Sequence, residues 1–206
     1  MILAAGAARR FGAQKLLAPL DGRPLLQHVI DAANASCLEE IVVVLGADAE
    51  AVRAAIRPGR ARVVRNDDYA TGMAGSLQTG LRALDRENHA ALVLLGDMPR
   101  VTASLIDDLV ARGKEIRATA VISVWRGRRS PPVVLHKSLW PAAFALHGDV
   151  GMRDVLGPRA DVLEFPVTED LGSLEDIDTP EDHHRLRVGG DTPVASRRSD
   201  GESSAQ

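Results

Sequence analysis

The chain has little that would tie it to an oxidising compartment, a membrane or a nucleic acid. Its one cysteine, Cys37, cannot close a disulfide within the 206 residues. That fits a reducing cytosol, and the residue reads as a small buried hydrophobe. Aromatics are only 3% of the composition, so the core must be Leu, Val, Ile and Ala, and base stacking on a single strand has few platforms. The formal charge is -3, which offers no basic footprint for nucleic acid or an anionic bilayer. No apolar run is long enough to span a membrane. The first basic residues follow the apolar start instead of preceding it, unlike a signal peptide. The expectation is a cytoplasmic protein.

Familiar catalytic patterns are missing too. His183 and His184 are adjacent on an expected helix and cannot share a face, so they read as surface residues and not as a zinc site. Ser76 lies outside a G-x-S-x-G elbow and has no evident His partner. Neither G-x-x-x-x-G-K-[ST] nor G-x-G-x-x-G occurs after a strand.

What is present is a 45% hydrophobic chain, enough for one sizeable domain. Residues 1–3 read as the end of a buried strand. Short apolar runs at 41–45 (IVVVL), 91–95 (ALVLL) and 120–124 (AVISV) suit strands buried on both faces, with a shorter one at 62–65. Helical patterns alternate with them. One runs through LLQHVIDAANA behind Pro24. Another runs through AEAVRAAI, capped by Asp48 and stopped by Pro58-Gly59. Others span 75–84, 102–112 and 139–146. This alternation predicts an α/β fold, a three-layer α/β/α Rossmann-like domain with a mainly parallel sheet. Residues 127–132 (GRRSPP) read as a basic, proline-stopped loop before a short strand at 133–135. The domain is expected over 1–188, with 189–206 a small, polar, disordered tail.

Two sets of residues carry chemistry. After the first strand, Gly6 and Gly12 stand among Arg9, Arg10 and Lys15. A glycine loop there exposes backbone N–H groups, and the cations favour a phosphate ligand. Asp97 follows ALVLLG, so it belongs at a strand's carboxyl end, where open α/β sheets bind ligands. A carboxylate there suits Mg²⁺, which takes one or two carboxylates plus phosphate oxygens. In EDIDTPED, Asp176 and Asp178 are further carboxylates. Thr179 reads as a helix cap, with Glu181 and Asp182 as compensation of the helix dipole.

The spacing L-A-A-G-x-x-x-R-x-G-x-x-K resembles the signature loop of the MobA-like nucleotidyltransferases. The subgroup it looks most like transfers CMP to molybdopterin, the molybdenum cofactor. TGMAGSLQTGL, LLGDMP, LHGDVGMRDVL and DIDTPED continue the resemblance. It implies a Mg²⁺-dependent enzyme, with Mn²⁺ as the other candidate, that uses CTP and releases pyrophosphate. Its product would go to a molybdoenzyme. Arg10, Lys15 and Asp97 would be catalytic. Leu3, Ala4, Ala5, Gly6, Gly12, Gly72, Gly75 and Ser76 would hold the nucleotide. Asp97 with Asp176 or Asp178 would hold the metal, and Asp149, Gly151 and Arg153 the acceptor. Arg9 matches no family position.

Two departures keep other readings open. Ser130-Pro131-Pro132 stands where the subgroup carries Gly-His-Pro or Gly-Asn-Pro, and that loop shapes the acceptor side. Arg126, Arg128 and Arg129 beside it would meet an anionic acceptor or simply be solvated. The family's GTP users carry Leu-Ala-Gly-Gly where this chain has Leu3-Ala4-Ala5-Gly6, which favours a pyrimidine. The alternatives are a transferase using GTP, one acting on a sugar or polyol phosphate, and a non-catalytic homologue that delivers cofactor.

Overall fold

The computed structural model describes residues 1–6, 11–115, 118–157 and 161–188, with Arg153 and Asp154 described by their backbone alone. The order is β1 (Ile2–Ala4), a 3₁₀ turn (Lys15–Leu17), the ribbon of β2 (Pro19–Leu20) and β3 (Arg23–Pro24), then α1 (Leu25–Ala35). Next come β4 (Val42–Leu45), α2 (Ala49–Ala55), β5 (Arg62–Arg65), α3 (Met73–Ala83), β6 (Ala90–Leu95) and α4 (Ala103–Glu115). The chain continues with β7 (Ala120–Trp125), β8 (Arg128–His136), α5 (Trp140–Phe144), α6 (Met152–Leu156), β9 (Val162–Pro166) and α7 (Pro180–Val188).

Among the described residues, seven strands form one sheet in the order β5-β4-β1-β6-β8-β7-β9. β8 runs antiparallel to both its neighbours, and the remaining pairings are parallel. The mainly parallel sheet is thus as expected. Period-two alternation sends successive side chains to opposite faces. Ile2, Ala4, Val43, Leu45, Leu92 and Leu94 join α1, α2 and α4 in one buried cluster. Leu3, Val42, Val44, Ala91 and Val93 join α3, α5 and α6 in another. Apolar residues at consecutive strand positions therefore mean helices on both sides, and the three layers follow.

Four details differ from the sequence expectations. Residues 128–132 are not a loop but the first half of β8. The register slips between Ile122 and Ser123, so the pairing skips Pro131 and Pro132, and the buried Ser123 hydroxyl donates to the Pro132 carbonyl at 2.8 Å. A bulge lets prolines, which lack an N–H, stay within a strand. Cys37 is exposed, in the turn after α1, where its N–H donates to Asp107 Oδ1. Asp48 precedes α2 as expected, but it is left-handed (φ 51°) and its side chain caps nothing. β9 had no clear alternation to reveal it; it pairs with β7 at the sheet's edge. The expected tail lies outside the described residues. No described helix is long and apolar enough to cross a membrane.

Candidate active site

β1 lies between β4 and β6, so the chain leaves β1 for one side of the sheet and returns on the other. Such a switch point opens a crevice at the strands' carboxyl ends. A cavity of about 620 Å³ lies there. Its floor is Leu3, Ala4, Ala5, Gly6 and Leu95, and its walls include residues 69–73, Ser76 and Asp149. Gly46, just after β4, permits this closeness: a Cβ there would stand 2.6 Å from both the Ala5 carbonyl oxygen and Tyr69 Cβ.

The charged end is built from three segments. Lys15 opens the 3₁₀ turn whose next residue, Leu16, is buried as an anchor. Asp97 follows β6. Asp176 and Asp178 flank the fully buried Ile177, which packs on Leu20 and Leu25 and whose N–H donates to the Asp97 carbonyl at 3.1 Å. That backbone bond fixes both carboxylates beside Asp97. Thr179 then caps α7: its hydroxyl accepts from the Asp182 N–H, and Asp182 Oδ2 accepts from the Thr179 N–H at 2.9 Å. Thr179 is the expected cap, and Asp182, expected only to offset the helix dipole, also caps by accepting from the Thr179 and Asp178 N–H groups.

Lys15 Nζ donates to Asp97 Oδ2 at 2.6 Å and to Asp178 Oδ1 at 2.9 Å. Its side chain is only 13% exposed. Burial alone would weaken its charge, but the Asp97 carboxylate, with help from Asp178, holds its pKa above the ordinary value. Asp176 is pushed up as well, first by burial and then by the nearby charges of Asp178 and Asp97. Asp97 Oδ1 is buried and has no hydrogen-bond partner among the described residues.

Most of the expected site residues meet in this cavity: Leu3, Ala4, Ala5, Gly6, Lys15, Gly72, Ser76, Asp97, Asp149, Asp176 and Asp178 all line it. Gly12 and Gly75 are not in its lining, nor is Gly151, whose added Cβ would strike Met73 Sδ at 2.7 Å. Arg9 and Arg10 lie outside the described residues, as does the Arg153 side chain. Of the basic run, Arg126 pairs with Glu175 (2.7 Å) and Arg129 with Glu164 (2.7 Å).

Supporting residues escaped the sequence reading. Asn66, buried after β5, donates to Ser76 Oγ at 3.0 Å and accepts from the Asp68 N–H, turning the chain into the Tyr69 wall. An Asn at a strand's end is an Asx-turn signal that would have found it. Gln78 donates to the carbonyls of Ala143, Phe144 and Leu146, tying the loop before Asp149 to α3. Gln14 donates to the Ala47 carbonyl and to Asp48 Oδ2, both at 3.2 Å, which holds the Lys15 turn against the β4–α2 connection.

Residues 1–162 match the MobA-like NTP transferase domain family. The chain belongs to this family. Nicotine blue oxidoreductase of Paenarthrobacter nicotinovorans is 34% identical over 193 residues, 90% of this chain and 94% of that one. Purine catabolism protein PucB of Bacillus subtilis (strain 168) is 30% identical over 200 residues, 91% and 94% of the two chains. Among solved structures, Rv0371c of Mycobacterium tuberculosis H37Rv superposes with a TM-score of 0.80 at 26% identity, covering 91% of this chain and 95% of that one. The same protein in complex with manganese gives 0.76 at 25% identity, covering 91% and 96%.

Proposed function

We propose that this MobA-like transferase moves CMP from CTP to the terminal phosphate of molybdopterin and releases pyrophosphate. One observation carries the transfer reading: Lys15, Asp97, Asp176 and Asp178 converge beside the Gly6 loop in one cavity. The cytidine and molybdopterin assignments rest on the sequence resemblance, with Ala5 favouring the pyrimidine. The proposed domain is residues 1–188 of a cytoplasmic enzyme.

An acceptor phosphate oxygen attacks the α-phosphorus, and the bond to the β-phosphate breaks. A phosphate monoester has a second pKa of about 6, so it is mostly dianionic at neutral pH and needs no catalytic base. The protein's work is positioning and charge balance. Backbone N–H groups around Gly6 would meet the phosphates, and Lys15 and Arg10 would offset their charge. Gly72 and Ser76 would shape the nucleotide side, and the sequence resemblance adds Gly12 and Gly75 to it. Asp149, Gly151 and Arg153 would face the acceptor.

The carboxylate set fits a hard divalent cation, Mg²⁺ or Mn²⁺. Asp97 Oδ1 is a buried oxygen in want of a partner, and Asp176 and Asp178 stand beside it. Among the described residues no three such side chains are grouped to hold a metal ion by themselves, so phosphate oxygens would have to complete its shell. When bound, the cation would neutralise charge on the triphosphate. The manganese complex of the Mycobacterium tuberculosis relative supports a divalent ion in this fold.

The deciding experiment is pyrophosphate release by the purified chain with each NTP, with and without molybdopterin. Release with CTP and molybdopterin alone is the expected result. Preference for GTP or for a sugar phosphate would reassign donor or acceptor, and binding without turnover would leave a delivery protein. A second reading comes from the relative named as an oxidoreductase. Turnover of a nicotinamide or a dye, with no pyrophosphate from any NTP, would favour it.

A further inference from the structure

We infer that Lys15 is a resident counter-ion that keeps a divalent cation off the Asp97–Asp178 pair until a nucleoside triphosphate draws the ammonium away. The inference rests on the proposed function, in which one cavity takes both nucleotide and cation.

The geometry sets up a competition. Nζ sits 2.6 Å from Asp97 Oδ2 and 2.9 Å from Asp178 Oδ1, so one ammonium spans the two carboxylates. A divalent ion held by Asp97 and Asp178 would have to compete with the ammonium for these carboxylates. Two cations that close, with little water between them, repel strongly. The repulsion is least screened on the Asp97 side, where the side chain is 18% exposed against 43% for Asp178. Among the described residues lining the cavity, Lys15 is the one basic side chain, against Asp97, Asp149, Asp176 and Asp178. While it stays, it offsets one of the pair's two negative charges and occupies an oxygen of each carboxylate, so a second cation is held less tightly than by the bare pair.

A triphosphate changes the balance. It brings several negative charges to the Gly6 loop and offers the ammonium a stronger partner. The lysine stem is flexible and carries a point charge, so Nζ can swing while Leu16 and Gln14 hold its backbone. The move that grips phosphate is the move that takes the ammonium off Asp97 and Asp178. Nucleotide and metal then favour each other's binding, and the effect must be reciprocal. The consequence is an order: nucleotide first, or the two together, and metal alone poorly. It also makes Lys15 a gate on the metal as well as a phosphate ligand, a role that a family motif does not reveal.

The test is Mn²⁺ titration of the full chain without nucleotide, read from the paramagnetic resonance of free Mn²⁺. Lys15→Met should bind Mn²⁺ about tenfold or more tighter than the wild type, within the usual range of coupling between sites. Lys15→Gln should fall between them and serves if the Met variant folds poorly. Adding Asp97→Asn to Lys15→Met should abolish the gain, which places the ion at this pair. Mn²⁺ alone should raise the melting temperature of Lys15→Met and leave that of the wild type unmoved. Equal Mn²⁺ affinity in the wild type and both Lys15 variants overturns the inference. A parallel titration with α,β-methylene-CTP separates the failures. If the wild type binds this analogue with Mn²⁺ while the Lys15 variants show no gain, only the gate falls. If it binds neither, the transferase reading falls with it.

Discussion

Gly72 and Gly148 meet backbone to backbone: a Cβ on Gly72 would stand 2.3 Å from the Gly148 carbonyl carbon and oxygen. The Ala74 N–H donates to that same carbonyl at 3.2 Å. The contact joins the 69–73 wall to the loop bearing Asp149, so it closes the cavity on the side where nucleotide and acceptor would meet. Gly72 also has φ +119°, a conformation that costs other residues on the order of 1–3 kcal/mol. Gly72→Ala should therefore lose stability through both strain and separation, and lose nucleotide binding with it. Gly148→Ala is the control. Its φ of +74° is left-handed, but nothing lies within 4 Å of an added Cβ, so only the left-handed cost of about 1–2 kcal/mol applies. Urea unfolding of both variants checks the ranking, and a milder Gly72→Ala would refute the close-contact account.

Asp97→Asn keeps the shape of the site and removes one charge. Lys15 would keep Asp178, and the amide can still accept its hydrogen bond. The fold should hold, with a melting temperature within a few degrees of the wild type. Turnover should drop by about 10²-fold or more, the scale seen when a group facing developing charge is lost. Steady-state kinetics over a range of Mg²⁺ would show it. Near-native rates at moderate Mg²⁺ would remove Asp97 from the metal site.

Asp176 offers a prediction in the other direction. Its pKa is raised in the folded chain by burial and by Asp178 and Asp97. The folded state thus holds its proton to higher pH than the unfolded state does. Stability from this residue is present below its unfolded pKa and is lost as pH rises through the folded one. At neutral pH its ionisation weakens the fold, as functional carboxylates often do. Asp176→Asn should melt higher than the wild type at pH 7, and the gain should shrink toward pH 4 and vanish below. A constant gain across that range would mean that packing, not charge, sets the difference.

The layers of the fold were legible because β1, β4 and β6 are apolar at consecutive positions, which demands helices on both sides. The site was legible where a residue follows a strand: Gly6 after β1 and Asp97 after β6 fall at the crevice because parallel topology puts all such ends together. Asp176 and Asp178 were legible as neighbours of Asp97 only through the family resemblance, since their place depends on Ile177 packing under Leu20 and Leu25. β8 was misread because Pro131 and Pro132 forbid regular pairing, and a bulge that forgives them leaves no local mark. Gln78 and Asn66 act through carbonyls and hydroxyls brought close only by the tertiary fold. The basic run was ambiguous for a similar reason: Glu164 and Glu175, distant in sequence, neutralise Arg129 and Arg126.

The loop that carries Lys15 supplies the sharpest contrast between variants. As a sequence it suggests exposed cations reaching for phosphate, and loss of an exposed charge shifts stability by about 0.5 kcal/mol or less. Lys15 breaks that expectation because its side chain is 13% exposed and bonded to two carboxylates. Removing it leaves Asp97, Asp176 and Asp178 near one another and takes away the ammonium that Asp97 and Asp178 share. A hydrogen bond to a charged group is worth about 1.5–3 kcal/mol, and a carboxylate left unpaired in a buried place costs more than the bond alone. Lys15→Ala should therefore lower the melting temperature measurably and slow nucleotidyl transfer by orders of magnitude. The pKa shift adds a pH signature. Lys15 is held above its ordinary value, so its stabilisation is present below the unfolded pKa and fades as pH rises through the folded one. The gap between wild type and Lys15→Ala should narrow in strongly alkaline buffer. Arg10→Ala should slow transfer with a much smaller change in melting temperature, and Arg9→Ala, at a position the family pattern leaves out, should be mild in both. Thermal melts from neutral to alkaline pH, run beside CTP kinetics, measure all three variants. A Lys15→Ala protein as stable as the wild type at neutral pH would mean that the two short bonds to Asp97 and Asp178 do not hold the site together.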